Sequence, residues 1–191
     1  MRIGLLRHGH TDWNRAGRLQ GRTDRPLEEV EPARLARLAL PEPWKDAAIL
    51  SSPMIRAVET ARIVSGKQPA TDPRLTEMSF GDWEGKISLE LQADPNSGFR
   101  DVEHWGWDYR PPNGESPREV FSRVSEAIAA LKGDTLIVCH IAVMRAVLAT
   151  AHGWNFEGEP PFKVKRYRIY GVMLDGSKMT ADADPIRLVS R

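Results

Sequence analysis

The chain begins MRIGLLRHGHTDWN (residues 1–14), and this stretch decides the fold. Its apolar run predicts a buried β-strand over residues 2–6, and an arginine and His8 stand where that strand ends. A second apolar run, TLIVC at 135–139, predicts a strand buried on both faces, and His140 follows it directly. Two predicted strands therefore end on a histidine.

Helical patterns alternate with the strands. Ser116 and Glu119 have the spacing of a capping box, ahead of a helix that we expect to end at Gly133. Residues 141–153 predict a buried helix closed by its final glycine. The other predicted elements are helices over 30–40 and from Pro53 to about Ser65, the latter capped by the serines at 51 and 52, and strands over 47–50, 167–174 and 186–189. This alternation predicts an α/β fold, a three-layer α/β/α sandwich around a mainly parallel mixed sheet.

Length and composition limit the class of protein. The chain has 191 residues, so we predict a single domain over 1–191 with one well-buried core. A formal net charge of +1 provides no overall field for nucleic acid or an anionic membrane, and we expect neither as a partner. The one cysteine, Cys139, excludes an internal disulfide, and no apolar run is long enough to span a membrane. We therefore expect a cytoplasmic location; the sequence does not specify an oligomeric state.

The predicted topology brings several charged groups to one edge. Ligands of open α/β sheets bind at the carboxyl ends of the strands, where His8 and His140 both lie, with Arg7 adjacent. Arg56 falls in the first turns of the helix after the strand at 47–50, where backbone amides favour an anion. We expect these side chains to converge on a phosphate group.

The same segments resemble the signature of the histidine phosphatase superfamily, in its phosphoglycerate mutase-like branch. The opening motif is RHGHTDWN at 7–14. The motifs that match in order after it are LQGRTDRPL at 19–27, SSPMIRAVETA at 51–61, EMSFGDWEG at 77–85, PPNGES at 111–116 and CHIAVMRA at 139–146. The resemblance runs from the first strand almost to the carboxyl terminus.

The resemblance implies a catalytic role for each matching charged position. His8 would be the nucleophile that forms a phosphohistidine, which water then hydrolyses. Arg7, Arg56 and His140 would bind the phosphoryl oxygens. Glu77 would protonate the leaving oxygen. Because these groups neutralise the phosphate, the resemblance implies neither a metal nor a cofactor, and the five histidines lack metal-ligand spacing.

The acid and the substrate contacts are less sharply defined by the motifs. Glu84 lies in the same motif as Glu77 and is the alternative acid. The substrate-binding residues implied by the resemblance are Asn14, Gln20, Gly21 and Ile141. The family usually has two glycines after the second histidine, and here Ile141 and Ala142 replace them, which predicts a changed backbone approach to the phosphate.

The segment around 86–115 predicts a lid or specificity loop. It includes an aperiodic stretch over 99–115 that contains Trp105, Trp107 and Tyr109. These aromatic residues either pack beneath the loop or cover the substrate. The side chains expected to set selectivity are Arg15, Arg22, Trp105 and Tyr109.

Three functions are consistent with the sequence: a metal-independent phosphomonoesterase, a phosphoglycerate mutase-type phosphotransferase, and a non-catalytic phosphate-binding domain. Mutases of this family usually have a longer insertion and tail, which favours hydrolysis here. A domain that only bound phosphate would not need Glu77. The expected partner is a small phosphorylated metabolite, such as a sugar phosphate, a glycerate phosphate or ribazole phosphate.

Overall fold

The computed structural model describes residues 1–191, and strands alternate with helices along the chain. The strands are β1 (Arg2–Arg7), β2 (Leu38–Ala39), β3 (Ala48–Ser51), β4 (Ala70–Thr71), β5 (Thr135–Cys139), β6 (Arg168–Asp175), β7 (Lys178–Ala181), β8 (Ile186–Arg187) and β9 (Val189–Ser190). The helices are α1 (Asp12–Arg15), α2 (Glu31–Leu35), α3 (Ile55–Ser65), α4 (Ser88–Ala93), α5 (Pro117–Ala129) and α6 (Ile141–His152), with 3₁₀ turns at Pro73–Leu75 and Gly81–Trp83.

Seven strands form one mixed sheet in the order β4-β3-β5-β1-β6-β7, and β8 pairs with β6. The neighbours β4, β3, β5 and β1 run parallel, whereas β6 is antiparallel to β1, β7 and β8. A separate pair joins β2 to β9. The predicted α/β fold with a mainly parallel mixed sheet is confirmed.

Alternating side chains of the central strands build a core on each face of the sheet. Ile3 and Leu5 of β1 belong to a cluster with residues of α5 and α6, together with Ile137 of β5. Leu6 of β1 and Val138 of β5 point the other way and join a cluster with α3. Because successive strand residues face opposite sides, an unbroken apolar run produces two cores and three layers.

The helix predicted over 30–40 is wrong in its second half. Helix α2 ends at Leu35, and residues 38–39 form β2, which pairs with Val189 and Ser190 of β9. The apolar spacing fits a helix, but pairing with a distant strand decides the conformation. The short strands β4 and β7 were likewise not predicted.

The start of α3 also differs from the prediction. The helix begins at Ile55 rather than at Pro53, with Met54 at the N-cap. The Ser52 hydroxyl accepts from the Met54 amide at 3.3 Å, and the Asp24 carboxylate accepts from the Ile55 amide at 3.1 Å. A carboxylate distant in sequence therefore caps this helix.

The two long helices on the opposite face follow the sequence signals. The capping box at Ser116 and Glu119 is confirmed, although α5 ends at Ala129 instead of continuing to Gly133. Helix α6 ends at His152 and is capped by Gly153, which has a left-handed conformation with φ 71°. No helix of the molecule combines the length and apolar character that crossing a bilayer requires.

Candidate active site

The parallel pairing of β1 with β5 places two histidines side by side. Arg7 is opposite Cys139 in the register, and the His8 amide donates to the Cys139 carbonyl at 3.0 Å. His8 and His140 follow directly, and their ring centroids are 5.1 Å apart. The structure thus brings together the two histidines that end the predicted strands.

One backbone contact determines the tautomer of His8. Its Nδ1 lies 2.6 Å from the carbonyl oxygen of Gly9, and because that oxygen can only accept, Nδ1 carries the proton. The lone pair is therefore on Nε2. Burial, followed by the nearby charges of His140 and Arg56, lowers the pKa of His8 well below its usual value. The ring is neutral at physiological pH.

The backbone of Gly9 is closely packed on both sides. Its amide donates to Thr60 Oγ1 at 2.9 Å, so the loop lies against α3. A Cβ at this position would lie 2.8 Å from the side chain of Glu31, so any other residue would require that side chain to shift. This packing orients the carbonyl that accepts from His8.

His140 is fully buried and is oriented by a serine. Its Nε2 lies 2.8 Å from Ser52 Oγ, while its Nδ1 has no hydrogen-bond partner within the protein. Burial, followed by the charges of Arg56 and Arg7, lowers the pKa of His140 well below its usual value. Ser52 was not predicted as a site residue, although it lies in the matched segment 51–61.

The two predicted arginines have different environments. The Arg7 guanidinium makes no hydrogen bond to a protein group, its Nε is buried without a partner, and burial followed by the charge of Arg166 lowers its pKa to about 9. Arg56 is fully buried and donates to the carbonyls of Thr23 at 3.1 Å and Gly21 at 2.9 Å, leaving Nε without a partner. Arg7 therefore has more free donors for an anion, and Arg56 is rigidly positioned behind it.

Glu77 accepts two backbone hydrogen bonds and borders the same space. The Met78 amide donates to it at 2.9 Å, and the Ala142 amide donates to its two oxygens at 3.2 and 3.3 Å. Burial outweighs these contacts and raises the pKa of Glu77. Glu84, the alternative acid, instead accepts from the amide of Thr23 and does not line the cavity. This geometry favours Glu77 as the acid.

The amide side chains of Asn14 and Gln20 form a connected pair. Asn14 Oδ1 accepts from Arg166 at 2.6 Å, and Asn14 Nδ2 donates to Gln20 Oε1 at 3.2 Å. Both residues line the cavity, but it is Gln20 whose Nε2 lacks a partner within the protein. The free amide donor is therefore that of Gln20, whereas Asn14 is largely engaged.

Gly21 and Ile141 have different positions relative to the cavity. Ile141 lines it with its side chain, while Gly21 does not reach it. A Cβ at Gly21 would lie 2.5 Å from the carbonyl oxygen of Met78, and the Gly21 carbonyl accepts from Arg56. Gly21 thus acts on the site through Arg56.

Three further arginines of the site were not predicted. Arg166 donates to the His8 carbonyl at 3.1 Å, and Arg123 donates to the carbonyl of Glu77 at 3.2 Å, so both position catalytic candidates from distant segments. Arg145 lines the cavity from α6. Arg145 lies inside the matched motif at 139–146, but neither of the others is marked by a sequence pattern.

Some of these residues line a cavity of about 480 Å³, whereas the predicted site residues Arg56 and His140 are fully buried and are not part of its lining. Arg7, His8 and Glu77 line one part of it, and the segment over 86–115 contributes a large share of the remaining wall. The lining residues from that segment are Ser88, Leu89, Gln92, Phe99, Arg100, Asp101, Val102, Glu103 and Trp105. No three His, Cys, Asp or Glu side chains of the chain stand close enough to form a metal-binding group.

The residues expected to set selectivity do not share one environment. Trp105 lines the cavity, whereas Trp107 packs against Phe121 and Phe156 with ring centroids 5.8 and 4.9 Å away. Tyr109 donates to the carbonyl of Gly98 and does not line the cavity. Arg15 and Arg22 do not line the cavity either, and they pair with Glu28 and Glu115.

Comparison with known proteins identifies relatives along nearly the whole chain. The family model for the histidine phosphatase superfamily (branch 1) matches residues 3–183. A protein of Hydrogenobacter thermophilus, named "Putative phosphoserine phosphatase 2", is 31% identical over 94% of this chain and 92% of its own length. A Serratia proteamaculans protein, named "Probable phosphoglycerate mutase GpmB", is 28% identical over 88% of this chain and 80% of its own.

A solved structure has the same fold. The crystal structure of phosphoglycerate mutase from Thermus thermophilus superposes with a TM-score of 0.72 at 32% identity, covering 100% of both chains. The sequence and structural similarities thus extend over the same elements that form the cavity.

Proposed function

The chain belongs to the histidine phosphatase superfamily, branch 1, and from this membership we propose that it hydrolyses a small phosphomonoester through a phosphohistidine on His8. The observation that carries the proposal is a neutral imidazole with its lone pair on Nε2, bordering a cavity that also contains a free guanidinium and a carboxyl group of raised pKa. These are the nucleophile, the anion site and the acid that phosphoryl transfer needs.

In the first step, His8 Nε2 attacks phosphorus and the bond from phosphorus to the ester oxygen breaks. Glu77, whose protonated form is favoured by the burial that raises its pKa, gives its proton to the departing alcohol. The phosphoryl group is then bonded to Nε2, while Nδ1 keeps its proton and donates it in the hydrogen bond to the Gly9 carbonyl. The positive charge that the ring gains is balanced by the phosphoryl oxygens.

In the second step, a water molecule attacks phosphorus from the side that the alcohol left. Glu77, now a carboxylate, removes a proton from that water, and the bond from phosphorus to Nε2 breaks. Inorganic phosphate and neutral His8 result, and Glu77 is again protonated. Throughout, Arg7 donates to the phosphoryl oxygens, where charge is spread in a loose transition state. Arg56 is buried outside the cavity lining and adds positive charge near His8, against whose ring His140 packs.

The experiment that tests the proposal measures hydrolysis of p-nitrophenyl phosphate by the purified chain in the presence of EDTA. We expect activity in wild type and none in His8→Ala, while His104→Gln, a change at an exposed histidine outside the cavity, is the matched control and keeps full activity. Rapid quenching in alkali during turnover is expected to trap an acid-labile phosphoryl group on His8. Activity that needs a metal ion, or that persists without His8, would refute the mechanism.

A second candidate is phosphoryl transfer between two positions of phosphoglycerate, which is favoured by the printed names of the Serratia relative and the Thermus structure. The Hydrogenobacter relative, with higher identity, is named for hydrolysis. Incubation with phosphoglycerate labelled at one position separates the two functions. A mutase moves the label with little free phosphate, whereas the proposed phosphatase releases labelled phosphate.

A further inference from the structure

The cavity contains two opposite charges, Arg145 and Glu103, that no protein group pairs. Both side chains line the 480 Å³ cavity and also an adjoining cavity of about 310 Å³. Neither takes part in any side-chain hydrogen bond, and neither belongs to the ion pairs of the molecule. They also do not pair with each other, although they are close enough to interact through space.

Arg145 lies between the phosphate site and the adjoining cavity, since Glu77 and Arg7 are also within range of its charge. It lies one helical turn after Ile141 on α6 and borders both cavities, whereas Arg7 and His8 border only the larger one. A half-buried guanidinium has five donors and no acceptor, so leaving it without a partner is unfavourable. Arg7 beside His8 suits the reacting phosphoryl group, and Arg145 suits a second anion on the same ligand.

Glu103, in the segment over 86–115, is an acceptor that lines the same two cavities as Arg145. Its neighbour Asp101 also lines the cavity but is exposed and accepts from Gln92 at 2.9 Å. Glu103 is half-buried and accepts nothing through its side chain. Because an ionised carboxylate can only accept, the ligand group that suits it is a cationic donor.

We propose that the substrate is the phosphomonoester of a small zwitterionic alcohol, with its carboxylate bound by Arg145 and its ammonium group bound by Glu103. This assignment rests on the proposed function, because it places the reacting phosphoryl group at His8. An α-amino acid carries both charges on one carbon, which fits two unpaired and neighbouring protein charges of opposite sign. A neutral alcohol would leave both side chains without a partner.

The test compares four small phosphomonoesters chosen for the presence or absence of these two charges. O-Phosphoserine carries both, 3-phosphoglycerate carries the carboxylate, O-phosphoethanolamine carries the ammonium group, and glycerol 3-phosphate carries neither. We expect kcat/KM to be about 10- to 100-fold higher for phosphoserine than for each of the other three, since hydrogen bonds to charged groups contribute discrimination of this size.

Two variants test which residue binds which charged group of the substrate. Arg145→Gln is expected to lower kcat/KM about 10- to 100-fold on the two carboxylate esters, mainly through KM, and by less than about 3-fold on the other two. Glu103→Gln is expected to act in the same way on the two ammonium esters. The matched control is Arg18→Gln, which removes the same charge from another part of the cavity wall and is expected to change all four substrates by a similar factor.

Three outcomes would overturn the assignment. If the wild-type enzyme has equal kcat/KM on all four esters, neither the carboxylate nor the ammonium group of the substrate is recognised. Arg145→Gln with an equal loss on all four shows that Arg145 binds the reacting phosphoryl group, and loss of p-nitrophenyl phosphate hydrolysis by the same factor supports that result. If wild type hydrolyses p-nitrophenyl phosphate through His8 but none of the four esters selectively, the substrate assignment fails and the proposed function stands.

Discussion

Replacing Glu77 with glutamine separates proton transfer from binding, because the side chain keeps its shape and its backbone contacts. The amides of Met78 and Ala142 both donate to the Glu77 carboxyl group, and a glutamine Oε1 has two lone pairs with which to accept both. Alanine would leave two buried amides unpaired at about 1–3 kcal/mol each. We therefore expect Glu77→Gln to keep the free energy of unfolding within about 1 kcal/mol of wild type near pH 5.

The loss of activity is expected to depend on the leaving group. A general acid contributes about 10²- to 10⁴-fold when the departing oxygen needs a proton, so kcat on an alkyl phosphate should fall by that factor. A nitrophenolate leaves without one, so the loss on p-nitrophenyl phosphate should stay below about 10-fold. In wild type, kcat/KM on the alkyl ester falls as pH rises through the raised pKa of Glu77, because the acid is then ionised. Glu77→Gln is expected to lack this basic limb.

The raised pKa also predicts a change in stability with a definite sign. Folded Glu77 binds its proton more tightly than unfolded Glu77, so its contribution to stability is fully present below about pH 4.5 and is lost as pH rises through the folded pKa. Glutamine cannot ionise, and the variant should therefore gain stability relative to wild type as pH rises. Urea unfolding from pH 4 to 8 measures this difference.

The assay is steady-state kinetics on an alkyl and an aryl phosphate from pH 5 to 9, with Glu84→Gln as the matched control. Glu84 accepts from Thr23 outside the cavity, so its variant should keep the leaving-group dependence of wild type. Equal losses on both ester types in Glu77→Gln, or a leaving-group-dependent loss in Glu84→Gln, would show that another group is the acid.

Other substitutions and conditions test the remaining parts of the site. Ser52→Ala removes the partner of His140 Nε2 and should lower kcat/KM about 10-fold, with recovery in Ser52→Thr, as steady-state kinetics would show. Because the pKa values of His8 and His140 are held well below 6.5, their joint contribution to the free energy of unfolding should be nearly constant above about pH 7 and fall below it by up to about 2.7 kcal/mol per pH unit. In urea unfolding, His140→Gln should reduce the pH slope of the wild type by up to about 1.4 kcal/mol per pH unit. Trp107→Ala should cost up to about 3 kcal/mol in urea unfolding through lost packing of this half-buried side chain, whereas Trp105→Ala should also raise KM. An unchanged KM in Trp105→Ala would contradict a role for Trp105 at the cavity.

The central part of the fold could be predicted because its signals are local. The apolar runs of β1 and β5 are short and unbroken, and a histidine lies at or next to the carboxyl end of each. Because the carboxyl ends of parallel strands lie at one edge of the sheet, His8 and His140 are expected to lie together. The capping box at Ser116 likewise depends only on residues three apart. Such patterns are read from neighbours in the chain, and the structure agrees with them.

The errors occur where distant segments decide the conformation. Residues 38–39 fit a helical pattern in the sequence, but in the structure they pair with β9. Helix α3 is capped by the Asp24 carboxylate, which is distant in sequence. The supporting arginines are of the same kind, since Arg166 contacts His8 across 158 positions of sequence and Arg123 contacts Glu77 across 46. No local sequence pattern indicates contacts between residues so far apart in the chain.

The sequence by itself determined the α/β class, the family and the identity of the charged residues at the sheet edge, because strand periodicity and motif order are properties of the chain alone. Only the tertiary structure decided the tautomer of His8, the choice of Glu77 over Glu84 as the candidate acid, and the unpaired state of Arg145 and Glu103. Each of these depends on burial and on contacts between atoms of distant segments, which form only when the layers pack together.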